Sequence, residues 1–494
     1  MEGRGGVTRF RPEWALLGIL PLVWLVHSLP HLPGPPTPDA AATVPALAER
    51  AAGLVAGEGY PYPIHVDEHN HLAAMAQVAR TGRIDVPDPY TGRPPEGELF
   101  SVAGMRSERG WDLAMVQVHQ VTGISLPTLA RFLPALWGAY LALAVWACLR
   151  PAPGALAAAA LTAAIPTTLR FLGPGFLVPS AFALPWLVAV LAVSLRGRGP
   201  GRFAALVVLI TGAFFVHLVL GTLALAVGLA AALLQPGPLR ARVAAAGTVA
   251  LPLLWLYPAI RADAEAAVAS EHSLPFDTGI FLSAGFLLPA LAVGGAFWAV
   301  HRRIPATAPH RALLVLLLAV VASLAASVQL DHRNDATYSR LVPTFFLCLA
   351  CLASLALGKV RVLAVRLPFP GRTSAAAGAA LAVGALALAP AVQAHLDEPY
   401  YRVFDPSSWE AGEALARVAG TNDTFLSHPW RAPVYNALSG ARPWAYLLPG
   451  AGAVHGEDHA HYVRSGGASA AWLAERNIAY VVDAVPPNAT HEWV

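Results

Sequence analysis

The chain has 494 residues, of which 56% are hydrophobic and only 13% are charged, and its formal net charge at pH 7 is +3. A soluble globular protein carries about 25% charged residues, so the composition excludes a single water-soluble domain and gives no indication of a nucleic acid partner. The three cysteines lie in apolar stretches, which predicts buried residues and argues against a disulfide framework or a zinc site.

Apolar segments long enough to cross a hydrocarbon core of about 30 Å recur from the N-terminus to residue 394. The first follows Arg4, Arg9 and Arg11 and is too long for a signal peptide, so it is predicted to be a retained helix. About eleven membrane spans are predicted from these segments. Their bounds are Trp14–His31, Leu129–Leu149, Ala155–Phe171, Phe176–Leu195, Phe203–Val216, Leu218–Leu234, Val243–Ile260, Ile280–Val300, Ala312–Leu330, Leu341–Gly358 and Ser374–Ala394.

The basic residues give the orientation. Arginines between 196 and 202 precede the apolar stretch 203–234, and further arginines at 240–242 follow it. The positive-inside rule places such clusters in the cytoplasm, so two short spans with a turn near His217 are predicted instead of one long helix. The same rule puts the N-terminus inside, and the loop 32–128 and the residues after His395 on the outer face of the plasma membrane.

Two domains are therefore expected. Residues 1–394 form an all-α polytopic transmembrane domain that includes the first external loop, 32–128. Residues 395–494 form a small extracytoplasmic α/β domain. In the loop, helices are predicted over Ala40–Ala56 and, as an amphipathic segment ended by Gly82, over Leu72–Thr81. In the C-terminal domain the predicted helices are Ser407–Ala419 and Ala468–Glu475, and the predicted strands are Thr424–Ser427 and Ile478–Asp483.

The first external loop carries an adjacent pair of carboxylates, Asp67 and Glu68. Neighbours on a helix diverge by about 100°, so one carboxylate can face a pocket while the other caps or orients it. The alternative interpretation is a solvated pair of loop carboxylates. The pair stands next to a short helix that is expected to lie at the bilayer surface.

Histidines surround this pair. His65 and His69, with Asp67 and Glu68, are candidate metal ligands, and a divalent cation such as Mg²⁺ or Mn²⁺ stays open as a cofactor. A second cluster occurs near the C-terminus at His455, Glu457, Asp458, His459 and His461. Neither cluster has a known zinc spacing, so a structural or solvated role is favoured for both.

Two arginines, Arg333 and Arg340, bracket a short predicted external loop that also holds Tyr338. Arginine suits bidentate recognition of phosphate, and the alternative is an interfacial side chain that reaches the lipid headgroups. Charges are nearly absent from the predicted spans, which argues against an ion-coupled transporter.

Short motifs occur in the same order and topology as in a known superfamily. Asp67-Glu68 precedes His71-Leu72 and Arg80-Thr81-Gly82, and Arg340 precedes a late predicted span. The pattern resembles the GT-C superfamily of membrane glycosyltransferases over nearly the whole chain. One departure is that Ser408–Gly412 does not match the WWDYG motif of oligosaccharyltransferase catalytic subunits, so the resemblance implies transfer of a single sugar and not of a whole glycan.

The resemblance implies an inverting hexosyltransferase with a polyprenyl-phosphate-sugar donor and a glycan, lipid or protein acceptor. Such a donor suits an outward-facing site, because charged nucleotide sugars stay inside the cell while a membrane lipid carries its sugar across. The roles it implies are catalytic for Asp67 and Glu68 and substrate-binding for His71, Arg333, Tyr338 and Arg340. Two other functions stay open: a non-catalytic scaffold or binding protein of this fold, and a lipid or solute transporter, for which inverted internal repeats are expected.

Overall fold

The computed structural model describes residues 12–31, 60, 62–83, 89–91, 109–150, 152, 154–168, 173–196, 199, 201–234, 237–254, 284–301, 308–329, 335–364, 372–397, 403–448, 452–465 and 470–482. The predicted helix Ala40–Ala56 and Arg333 lie outside these ranges.

Apolar helices make up most of the described chain. Five stretches are long and apolar enough to cross a membrane: Glu13–His31, Leu126–Leu149, Pro179–Arg196, Leu341–Lys359 and Gly378–Leu396. The predicted membrane character is thereby confirmed at a coarse level, whereas the count of about eleven spans stays a prediction. In chain order the helices that correspond to predicted spans are Leu16–Ser28, Leu126–Leu149, Ala155–Leu161, Pro179–Arg196, Gly201–Val216, Leu218–Leu234, Leu239–Ala250, Leu287–His301, Ala308–Gln329, Asp335–Ala364 and Arg372–Asp397.

The predicted break at residue 217 is confirmed. One helix ends at Val216 and the next begins at Leu218. The His217 side chain is buried, and its Nδ1 accepts a hydrogen bond from the backbone N–H of Leu220 at 3.3 Å. This side chain therefore satisfies one of the backbone donors that the start of a helix leaves unpaired.

The predicted third span, Ala155–Phe171, is wrong in length. The α-helix covers Ala155–Leu161, a 3₁₀ turn follows over Thr162–Ala164, and Ile165 is extended. Ten helical residues rise about 15 Å, which is half of a hydrocarbon core. Pro166 comes next in the chain and disfavours the helical conformation for the residue before it, which accounts for the early end.

The membrane helices pack around one large buried cluster, and close approaches use glycine. Gly295 on helix Leu287–His301 lies against the backbone of Leu352 on helix Asp335–Ala364, where a Cβ would overlap the Leu352 carbonyl oxygen. Small residues at such crossings are typical of helix packing in membranes. The three cysteines are buried and unpaired, as predicted.

The described residues from 403 onward, which we call the tail, form a small α/β unit. Strand β1 (Thr424–Leu426) lies between β2 (Arg442–Pro443) and β5 (Tyr480–Val481), and both pairings are parallel. A second pair, β3 (Tyr446–Leu448) and β4 (Gly452–Val454), is antiparallel. The helices of the tail are Pro406–Val418, Ala432–Ser439, Gly456–Arg464 and Ala470–Glu475.

The expected start of the first tail helix needs one correction. The N-cap is Asp405, where Ser407 or Ser408 was expected. Asp405 Oδ1 accepts a hydrogen bond from the backbone N–H of Ser408 at 2.7 Å, and Pro406 occupies the first helical position. A carboxylate cap followed by proline is a favoured helix start, because proline has no N–H to leave unpaired.

The helix of the first loop differs most from its prediction. It covers Val66–Thr81, so it begins six residues earlier than expected and contains the carboxylate pair; we call it the acidic helix. It ends at Gly82 as predicted, in the left-handed region at φ +67°. Leu72 and Met75 belong to one buried cluster with Trp111 and Phe182, while Ala73 and Ala74 belong to another with residues of the tail. The helix is therefore buried between the rest of the first loop and the membrane helices on one side and the tail on the other, and its position relative to the bilayer surface stays a prediction.

Candidate active site

The start of the acidic helix is fixed by a reciprocal pair of side-chain caps. His65 is the N-cap residue, and its Nδ1 accepts a hydrogen bond from the backbone N–H of Asp67 at 3.0 Å. The Glu68 side chain reaches back to the backbone N–H of His65 at 3.0 Å. This capping box uses histidine where serine or threonine is usual, and it sets the first helical turn that presents Asp67.

Both oxygens of the Glu68 carboxylate accept backbone hydrogen bonds. Oε2 accepts from Ile64 at 2.8 Å as well as from His65, and Oε1 accepts from Leu177 at 2.7 Å. The side chain is fully buried. Burial raises the pKa of Glu68 to about 7, and the three N–H donors oppose that shift because they favour the ionised carboxylate.

Leu177, which donates to Glu68, precedes helix Pro179–Arg196. The described residues that connect helix Ala155–Leu161 to this helix are also hydrogen-bonded to the last membrane helix. In this connection the N–H of Gly175 donates to Thr167 Oγ1 at 2.9 Å. The N–H of Thr167 donates to His395 Nε2 at 2.7 Å, and His395 lies on helix Arg372–Asp397. Buried polar bonds therefore lead from the acidic helix to the helix that precedes the tail.

Asp67 differs from its neighbour. Its side chain is partly exposed, whereas that of Glu68 has no exposed surface. The first turn of the acidic helix thus holds one carboxylate engaged in structure and one that reaches solvent. This division matches one of the two arrangements expected from helix geometry and leaves Asp67 as the carboxylate able to meet a ligand.

His71 lies one helical turn after Asp67 and is paired with a carboxylate that the sequence did not single out. Its Nδ1 is 3.1 Å from Asp112 Oδ1, and both side chains are buried. Asp112 lies on helix Arg109–Thr122, which Gly110 sets closely against Phe215. The pair joins the two described helices of the first loop across 41 residues of sequence.

Other predicted site residues lie elsewhere. Tyr338 and Arg340 are in the first two turns of helix Asp335–Ala364, where the side chains are outside the described part of the chain. Arg333 is outside it altogether. Their predicted contact with a donor phosphate stays a prediction.

The histidines near the carboxylate pair are already engaged in hydrogen bonds. His65 Nδ1 accepts from Asp67 N–H, and both ring nitrogens of His69 face carbonyl oxygens. The Glu68 carboxylate accepts hydrogen bonds from three backbone N–H groups. In the ranges that the structure describes, no group of three or more histidine, cysteine, aspartate or glutamate side chains is placed to hold a metal ion. A divalent cation as cofactor therefore stays a prediction.

The second histidine cluster has a structural arrangement. The Trp444 ring stacks on His455 at 4.7 Å between centroids, and its Nε1 donates to Asp458 Oδ2 at 2.9 Å. Asp458 also lies 3.5 Å from the Arg476 guanidinium. These contacts fasten helix Gly456–Arg464 to the rest of the tail and favour the structural role considered for this cluster.

Comparison with known proteins rests on structure alone, because no family profile and no curated protein matches the sequence. Archaeal oligosaccharyltransferase AglB from Archaeoglobus fulgidus, in complex with an inhibitory peptide and a dolichol-phosphate, superposes with a TM-score of 0.53 at 14% identity. The match covers 95% of this chain and 69% of that one. ArnT from Cupriavidus metallidurans bound to undecaprenyl phosphate gives a TM-score of 0.52 at 14% identity over 87% of this chain and 85% of that one. This chain thus has the fold of AglB and ArnT, as the resemblance to the GT-C membrane glycosyltransferases predicts.

Proposed function

We propose that the protein is a membrane glycosyltransferase that transfers a sugar from a lipid-phosphate-linked donor to an acceptor on the outer face of the membrane. The observation that supports this most is the unequal pair in the acidic helix. Glu68 is buried and bonded to three backbone donors, and Asp67 is partly exposed beside it. The likeness to ArnT bound to undecaprenyl phosphate and to AglB with a dolichol-phosphate favours a polyprenyl-phosphate donor.

The chemistry needs a base, because an acceptor hydroxyl is a weak nucleophile at neutral pH. The Asp67 carboxylate takes the hydroxyl proton as the acceptor oxygen attacks the anomeric carbon of the donor. The bond from that carbon to the phosphate oxygen breaks, and the lipid phosphate leaves with the electron pair. Attack opposite the leaving group inverts the anomeric configuration. Glu68 and the His71–Asp112 pair hold the helix that carries Asp67.

Replacement of Asp67 by asparagine tests this role. Asparagine keeps the size and polarity of the side chain but cannot accept the proton, so turnover is expected to fall by at least about a hundredfold. The assay uses proteoliposomes, a panel of radiolabelled monosaccharides linked to undecaprenyl phosphate or dolichol phosphate, and acceptor membranes from cells that lack the protein. Glu457→Gln, an exposed change in the tail, is the matched control. Transfer at the wild-type rate by Asp67→Asn would favour a scaffold of this fold.

The donor phosphate is assigned to Arg340, with Arg333 and Tyr338 in the same segment. We expect Arg340→Ala to raise the donor KM and Arg340→Lys to restore it only in part, because lysine lacks the planar fork of the guanidinium. Donor KM is measured at saturating acceptor. An unchanged donor KM in the Arg333→Ala, Arg340→Ala double variant places the phosphate site elsewhere.

A further inference from the structure

Several hydrogen bonds cross from the first loop to the tail. The Tyr60 hydroxyl accepts from the N–H of Phe404 at 3.0 Å, and the Asn70 amide lies 3.4 Å from the Leu447 carbonyl oxygen. Others join Asn436 to Pro89, His69 to Trp430, and Arg80 to both Asn436 and Ala437. Apolar side chains of the acidic helix and the tail are buried together between these bonds. We call this boundary the seam.

His69 is the buried polar centre of the seam. It lies two residues after Asp67, has no exposed surface, and places Nδ1 3.1 Å from the Trp430 carbonyl oxygen of the tail. Its Nε2 is 3.3 Å from the carbonyl oxygen of Pro63, in the segment that leads into the acidic helix. Carbonyl oxygens only accept, so the neutral imidazole, which has one N–H, donates to one of these two carbonyls and contacts the other. His69 thereby places the segment before Asp67 next to the tail.

Arg80 makes the second contact, at the other end of the acidic helix. Its Nη1 donates to the carbonyl oxygen of Ala437 at 3.0 Å. This carbonyl belongs to the last turn of helix Ala432–Ser439, where carbonyl groups lack intrahelical partners and the helix dipole is negative. Gly440 follows with φ +81°, and a Cβ there would come within 3.4 Å of the Arg80 guanidinium carbon. The tail therefore contacts the acidic helix in both its first and its last turns.

We propose that the tail is a positioning part of the catalytic machinery, and that His69 is the residue through which it sets the first turn bearing Asp67. This inference rests on the proposed function. The alternative role for the tail is recognition of the acceptor alone. A positioning tail affects every reaction that uses Asp67, whereas an acceptor-recognition tail affects transfer to the acceptor and leaves hydrolysis of the donor by water untouched.

The experiment measures donor hydrolysis without acceptor in the full-length protein, together with hydrogen exchange of the acidic-helix amides. His69→Leu keeps the bulk of the side chain and removes the donor. His69→Asn keeps an amide donor near the position of Nδ1. His461→Leu, an exposed position in the tail, is the control. We expect His69→Leu to lower kcat for hydrolysis and to speed amide exchange by on the order of tenfold each, as for one or two buried hydrogen bonds, with the donor KM unchanged and His69→Asn close to wild type.

Arg80→Ala, with the exposed Arg417→Ala as its control, is expected to move both quantities in the same direction but less, since the Arg80 side chain is exposed. If the His69→Leu protein exchanges its acidic-helix amides faster but hydrolyses the donor with the wild-type kcat, the positioning role is wrong and the proposed function stands. A wild-type protein that neither transfers nor hydrolyses any donor of the panel overturns the proposed function, and the positioning role with it.

Discussion

At the scale of single residues, two neighbouring carboxylates have different surroundings because the helix turns between them. Glu68 points to three backbone donors that only a carboxylate can satisfy from both oxygens. Asp67 reaches solvent one position earlier. The division gives each acid a separate test, since an amide replacement removes proton acceptance at Asp67 but disrupts hydrogen bonding at Glu68.

Glu68→Gln is predicted to destabilise the protein. In either orientation the glutamine NH₂ group faces a backbone N–H, of Leu177 on one side or of Ile64 and His65 on the other. An unsatisfied buried donor costs about 1–3 kcal/mol. The thermal unfolding midpoint in detergent, measured above pH 7 where the Glu68 carboxyl is ionised, is expected to fall, with Glu457→Gln unchanged as the control. A Glu68→Gln protein with the wild-type midpoint and no turnover would instead indicate that Glu68 takes part in the chemistry.

At the scale of elements, the seam between the acidic helix and the tail depends on the charge of His69. Burial lowers the pKa of His69 from 6.5 to about 4. The undocked state therefore binds more protons between these pH values, and docking weakens as pH falls from 6.5 to 4. At about 1.4 kcal/mol per pH unit, from 6.5 down to about 4, the loss in docking free energy is about 3.5 kcal/mol. This value is an upper limit, because an imidazolium could donate to both facing carbonyl oxygens.

The measurement is hydrogen exchange of the acidic helix between pH 6.5 and 4, corrected for the intrinsic pH dependence. Glu68 contributes in the opposite sense: burial raises its pKa to about 7, so its stabilisation is fullest below its usual value of 4.5 and is lost as pH rises to 7. The difference between wild type and His69→Asn isolates the histidine. Equal pH profiles for the two proteins would contradict the predicted role of the imidazole.

The elements that the sequence predicted well are those with a local signal. Gly82 ends the acidic helix, His217 separates two apolar helices, and strand β1 follows its predicted position. The acidic helix began earlier than predicted because histidine is an unusual N-cap residue. Strand β5 lies inside the predicted strand Ile478–Asp483. The strands β2 and β3, of two and three residues, are too short for a period to be recognised.

The parts of the site that escaped prediction depend on long-range contacts. Asp112 carries no local signal, and only folding of the first loop brings it within 3.1 Å of His71. The partner of His69 is a backbone carbonyl of Trp430, 361 residues away. Residue type and spacing identified the acidic pair, but a backbone acceptor supplied by another element cannot be read from either.

At the scale of the whole molecule, the acidic helix is enclosed by two parts of the chain. Trp111 of the first loop and Phe182 of helix Pro179–Arg196 belong to the buried cluster on one side of it, and Phe404 and Tyr435 belong to the cluster on the side of the tail. The first loop and the tail must therefore lie on the same side of the membrane. This arrangement agrees with the placement of both on the outer face by the basic residues and makes the sidedness of the tail a test of the entire topology.

The last prediction is that the tail lies on the outer side of the membrane. The native cysteines at 148, 348 and 351 are buried, so the wild-type protein gives a low background with an impermeant thiol reagent. Leu239→Cys, at the exposed first residue of helix Leu239–Ala250, is expected to react only after the membrane is permeabilised, because the basic residues at 240–242 place it inside. Glu457→Cys, exposed on the tail, is expected to react in intact cells. Reaction of both cysteines from one side would contradict the predicted topology between residues 239 and 457. Reaction with the two sides exchanged would reverse the orientation of the whole protein in the membrane and place Asp67 where cytoplasmic nucleotide sugars could reach it.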